Sequence, residues 1–61
     1  MKLIELNRYT NEEKETITFL LNIEQIVGME DMPDGGTFVI TARDNYGVSE
    51  TTEEILNQIN S

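Results

Sequence analysis

The pentapeptide Met32-Pro33-Asp34-Gly35-Gly36 constrains this chain more than any other stretch, because it stands between two apolar segments and can only turn. Proline holds φ near about −65°, as the first corner of a type I turn requires, aspartate suits the next position, and glycine tolerates the positive φ that closes a hairpin with a bulge. The sequence from Asn22 to Thr41 therefore reads as two antiparallel strands around a tight turn, the first extending over Val27 to Met32. On the far side, Thr37 to Ala42 alternates Phe38, Ile40 and Ala42 against Thr37, Val39 and Thr41. The bulkier set is expected to face the core.

The same alternation marks the elements on either side. Lys2 to Arg8 places Ile4 and Leu6 on one face and Leu3 and Glu5 on the other, and Glu15 to Asn22 sets Ile17, Phe19 and Leu21 against Thr16, Thr18 and Leu20. Between them, Tyr9 to Lys14 is polar and suits a hairpin loop or one helical turn. Asn22 is placed to start a turn or cap a short helical turn, after which Ile23, Ile26 and Val27 are spaced to tuck beneath the sheet. Arg43-Asp44-Asn45 supplies turn residues before a short last strand, Tyr46 to Ser49. Thr51 followed by Glu54 has the spacing of a capping box, and Glu53 and Glu54 favour a helix N-terminus through the macrodipole. A helix over Thr52 to Asn60 is predicted, with Ile55, Leu56 and Ile59 as its apolar stripe. The expectation is one α+β domain spanning residues 1–61: a small antiparallel meander of four or five strands with one C-terminal helix packed on the sheet.

A chain of 61 residues buries only roughly 60% of the surface its unfolded form exposes, so its stability is marginal. It has no cysteine for disulfides and no histidine for an ordinary zinc site. Self-association is the remaining support. Twelve acidic residues face four basic ones, Lys2, Arg8, Lys14 and Arg43, for a formal charge of −8. That field repels phosphate backbones and anionic lipid, keeps a small domain soluble, and attracts any basic protein partner. No apolar run approaches the ~18 residues of a membrane span, and the start MKLIELNRY lacks the pattern of a signal peptide. A cytoplasmic location is the corresponding expectation.

Chemistry has few candidates. Glu30-Asp31-Met32-Pro33-Asp34 resembles a calcium loop in acidity alone, since Met32 or Pro33 occupies ligand positions and no glutamate follows at the twelfth. Ser49 and Ser61 have no histidine base, and glycines 28, 35, 36 and 47 are too scattered to cradle a phosphate. Phe19 and Phe38 fall on apolar faces, whereas Tyr9 and Tyr46 are isolated and lack the basic groove of a single-strand binder. No catalytic, metal or cofactor-binding residue is assigned, no cofactor is expected, and the chain is read as a non-enzyme. One feature points elsewhere. With Phe38 and Ile40 inward, Leu3, Leu20 and Val39 emerge together on the opposite face, near Met29 or Met32, as candidate interface residues.

In this order of residues the chain resembles the small flagellar FlbD-like family. Phe19, Leu21 and Asn22 match its F-x-L-N strand end, Ile26, Glu30, Pro33 and Asp34 its I…E…P-D segment, and Tyr46, Val48, Glu50 and Thr51 its last strand, before the acidic helix EEILNQI. The likeness covers about three quarters of the chain and implies the fold just described, with no catalytic residues to carry over. The chain departs from the family in its longer YTNEEKET segment, in Ala42-Arg43 where the family has Asn-Gly, and in Gly47. A weaker similarity, to the C-terminal half of LytTR-type DNA-binding domains, rests on the same strand, hairpin and helix order. The function expected is a non-catalytic interaction module that self-associates as a homo-oligomer, most simply a dimer. The alternative is a nucleic-acid accessory protein, acting through a local patch of Arg8, Lys14 and Arg43 or by mimicking DNA charge.

Overall fold

The computed structural model describes residues 1–10, 15–33 and 35–61, among which five strands form one antiparallel sheet and one helix packs on it. The strands are β1 (Leu3–Tyr9), β2 (Thr16–Asn22), β3 (Ile26–Asp31), β4 (Thr37–Thr41) and β5 (Asn45–Val48), and the helix α1 is Thr52–Asn60. Their spatial order is β2-β1-β5-β4-β3. The small α+β meander expected from the sequence is thus present, as a β1–β2 hairpin beside a three-stranded run. The loop expected over Tyr9 to Lys14 lies largely outside the described residues, whereas Tyr9 itself ends β1.

Local chemistry accounts for the turns. Met32 N–H donates to Gly36 C=O at 2.9 Å and Gly35 N–H to Met32 C=O at 3.1 Å, with Gly35 at φ 104°, a conformation that favours glycine. The tip residue Asp34 lies outside the described residues. Asn22 accepts the Glu24 N–H on its side-chain oxygen and opens a single 3-10 turn, Ile23–Gln25, that carries the chain across to β3. Thr41 closes the β4–β5 turn by donating its hydroxyl to Asp44 C=O while accepting the Arg43 and Asp44 N–H groups. At α1 both halves of the Thr51/Glu54 capping box form, at 2.8 and 3.1 Å.

The core consists of Ile4, Leu6, Leu21, Val39, Val48 and Ile55, with Phe19, Ile23, Ile26, Met29, Tyr46 and Ile59 packed around it. Phe19 meets Tyr46 with ring centroids 5.0 Å apart, so this tyrosine is part of the core margin rather than isolated. β4 reverses the expectation drawn from its bulk. Val39 is fully buried, and Phe38 and Ile40 stand half-buried on the opposite face. The hairpin fixes this outcome by pairing Asp31 with Thr37 and Met29 with Val39, and a shift of one residue would exchange the two faces. Two threonines accompany Val39 inward at no cost in lost hydrogen bonds. Thr37 Oγ1 donates to Glu50 C=O at 2.8 Å, and Thr41 is satisfied within its turn.

Other positions also depart from the sequence reading. Val27 is exposed, because the β3–β4 register shifts between Ile26 and Gly28 and leaves it as the extra residue of a bulge. Leu56 is exposed and Ala42 lies in the turn after β4, so α1 buries Ile55 and half of Ile59.

β1 meets β5 at the single pair Arg8 and Val48, and beyond it side chains replace the missing strand. Gln58 accepts the Glu5 N–H at 3.0 Å and donates to the Glu5 C=O at 2.8 Å. Glu50 accepts the Asn7 N–H at 2.9 Å, and Ser49 N–H donates to Asn7 C=O at 2.9 Å. Lys2 Nζ, donating to the Ile59 C=O at 2.9 Å, ties β1 to the last turn of α1, where a cation also complements the helix dipole. The helix therefore seals one edge of β1, leaving β2 and β3 as the outer strands of the sheet. Among the described residues no helix is long and apolar enough to cross a membrane.

Candidate functional site

The face of the sheet turned away from α1 gathers the surface features of interest. β1 and β2 pair Leu3 with Asn22 and Glu5 with Leu20, which puts Leu3 and Leu20 diagonally across the hairpin, a spacing of roughly 7–8 Å in antiparallel sheet. Leu3 is 48% exposed and Leu20 61% exposed. Val39 does not join them. It is 0% exposed beneath the helix, for the reason of register given above.

Phe38 and Ile40 take up the outer face of β4 instead. Each has a glycine directly beside it: Gly47 opposes Phe38, and Gly28 opposes Ile40. A methyl group built at Gly28 would lie 3.8 Å from Ile40 Cδ1, so the side chain covers backbone that a larger residue would occupy. Large residues over glycines half-bury themselves without a second layer, and the two in-strand glycines are the signal for this in the sequence. Met32 sits by the same surface, its Sδ and Cε both 3.7 Å from the position of a Gly47 methyl.

A polar chain crosses this face. Thr18 Oγ1 donates to Asn7 Oδ1 at 2.5 Å, Asn7 Nδ2 donates to Glu50 Oε2 at 2.7 Å, and Glu50 Oε1 holds the Asn7 N–H. It links edge strand β2 through β1 to the residue just ahead of the α1 cap. No local sequence pattern signals the pairing of Asn7 with Glu50, which lie 43 residues apart.

The charged candidates separate. Arg8 stands beside Val48 at the end of β5, whereas Arg43 precedes the start of that strand, so β5 lies between them; Lys14 is outside the described residues. In the acidic stretch that begins at the end of β3, Asp31 Oδ1 accepts the Thr52 hydroxyl at 2.6 Å and so braces the first turn of α1. Among the described residues no three carboxylates gather as metal ligands.

The outer strands differ in chemistry. β2, TITFLLN, carries no charged residue, whereas β3, IVGMED, contains a bulge and ends in Glu30 and Asp31. Comparison with protein-family models, curated proteins and solved structures gives no match.

Proposed function

We propose that this chain is a non-catalytic protein-interaction module that self-associates through its sheet, an FlbD-like small protein of the cytoplasm. The observation that carries the reading is the exposure of Leu3 and Leu20, diagonal neighbours on the face away from α1, the second of them on a strand without charge. Covering the two side chains removes apolar surface from water, each contributing up to about 2 kcal/mol when fully buried. A 61-residue chain with a small core gains proportionately from that burial. The acidic excess then stays in solvent around the contact, and it also suits a basic protein partner.

Sedimentation equilibrium from low to high micromolar protein tests the proposal. Wild type is expected to form a dimer that Leu20→Glu weakens at least tenfold. A wild-type chain that stays monomeric and folded across the range overturns it.

A further inference from the structure

We propose that a second copy of this chain docks along β2, edge to edge and antiparallel, so that the two sheets become one ten-stranded sheet about a two-fold axis at Phe19. This rests on the self-association proposed above and names its edge, register and partner.

The hydrogen-bond phase of the β1–β2 hairpin fixes which backbone groups are available. Ile23 N–H donates to Lys2 C=O at 3.0 Å and Thr10 N–H to Glu15 C=O at 3.2 Å, so even residues of β1 bond odd residues of β2 in the register Ile4–Leu21, Leu6–Phe19, Arg8–Ile17. In an antiparallel ladder the bonded direction alternates along each strand. The N–H and C=O groups of Thr16, Thr18 and Leu20 and the N–H of Asn22 therefore point away from β1, along the outer edge of the sheet, where no described strand pairs with them, whereas the Asn22 C=O serves the 3-10 turn.

Charge selects the edge at which two copies can meet. Two chains of net charge −8 repel, and approach is easiest where no carboxylate is brought opposite another. β2 satisfies this along its whole length, and edge strands normally protect themselves with charge, proline or a bulge. β3 has such protection and β2 has none. A second copy brings an equally uncharged strand of the same seven residues.

One register overlaps all seven. It pairs Thr16 with Asn22 and Thr18 with Leu20 of the second copy as bonded pairs; each Thr18–Leu20 pair exchanges two bonds and each Thr16–Asn22 pair contributes one through the Asn22 N–H, for roughly six backbone hydrogen bonds in all. Phe19 then faces its own copy in a non-bonded pair, the closer of the two spacings, and Ile17 faces Leu21. Both copies keep their helices on one side. The pairing covers Leu20 and also Ile17, which is 46% exposed on the helix-side face.

Thr18→Pro tests the edge. It removes an outward N–H without breaking a β1–β2 ladder bond, and proline is tolerated on a sheet edge. Sedimentation equilibrium is expected to show the dimer weakened on the order of thirty-fold, since one bond is lost from each copy and the ring intrudes on the partner strand. In parallel, amide exchange of the wild-type protein at low and high concentration should show slowing on dimerisation at Thr18 and Leu20. If wild type dimerises but exchange slows at β3 or α1 instead, or a folded Thr18→Pro chain dimerises unchanged, the β2 edge is refuted while self-association stands. Should Thr18→Pro not fold, the exchange measurement decides alone. If wild type remains monomeric, both proposals fail.

Discussion

Replacing Glu50 with alanine should cost more stability than any other removal of a surface carboxylate, and the structure gives the size. Glu50 Oε1 accepts the Asn7 N–H and Oε2 accepts Asn7 Nδ2, at 2.9 and 2.7 Å, in a half-buried position between β1 and α1. Hydrogen bonds to a charged group contribute about 1.5–3 kcal/mol each, and partial exposure lets water replace some of that, so a loss of about 2–3 kcal/mol follows for the pair. At about 0.05–0.15 kcal/mol per residue, the whole chain has only about 3–9 kcal/mol to lose. Glu50→Gln discriminates the hydrogen-bond account from a general effect of charge. Glutamine keeps an acceptor for the Asn7 N–H, and its new N–H₂ is accommodated if the Asn7 amide turns over, presenting Oδ1 to Gln and Nδ2 to Thr18 Oγ1, which now accepts. That variant should lose only about 0.5–1 kcal/mol. Urea unfolding followed by circular dichroism, at one fixed protein concentration so that self-association does not intrude, reads both values. In thermal melts the alanine variant should unfold roughly 10–20 °C below wild type. Equal losses for Gln and Ala, or a loss below about 1 kcal/mol for Ala, would refute the bridging role.

Glycine substitutions should separate sharply: a methyl at Gly36 would stand 2.3 Å from the Val48 carbonyl oxygen, so Gly36→Ala is expected to lose about 3 kcal/mol in denaturant titration, whereas Gly28→Ala, with 3.8 Å to Ile40 Cδ1, should stay within about 0.5 kcal/mol. Val39→Ala should cost about 2 kcal/mol and Phe38→Ala less, as calorimetry of the two variants would show, because Val39 and not Phe38 lies under α1; the opposite order would mean that β4 presents its other face to the helix. Thr51→Ala removes the acceptor for the Glu54 N–H and should lower stability by about 1 kcal/mol, with Thr51→Asp close to wild type in the same unfolding assay.

Elements whose cause is local are legible in the amino-acid sequence. The Met32–Gly36 turn, the Asn22 cap and the Thr51/Glu54 box each bond within a few residues, and the helix occupies the predicted span, Thr52–Asn60. The face of β4 is not, although its alternation is plain. Phe38 and Ile40 outweigh Val39 in apolar area, and a reading by bulk turns them inward; what turns them outward is the pairing of each with an in-strand glycine and the satisfaction of Thr37 and Thr41 by distant or turn partners. Both effects depend on neighbours across the sheet. Gln58 illustrates the same limit, since nothing in a helical stretch announces that its amide completes the ladder of a strand 53 residues away.

The candidate site raises a different difficulty, because its chemistry belongs largely to the backbone. Leu3 and Leu20 stand out from alternation alone, yet isolated exposed leucines are common on soluble proteins and acquire meaning only from what lies beside them. Leu20 itself lies on an outer strand with unprotected main-chain donors and acceptors, and every residue of that strand has those groups regardless of its side chain. Composition therefore registers such an edge only indirectly, through the charges that are missing. In a chain where about a quarter of the residues are charged, the seven of β2 carry none, while β3 at the opposite edge ends in two carboxylates. Because α1 and its Gln58 and the neighbouring Glu50 side chain already occupy the inner edge of β1, the fold leaves β2 as the uncharged strand at its margin, the edge at which repulsion between two acidic copies would be least.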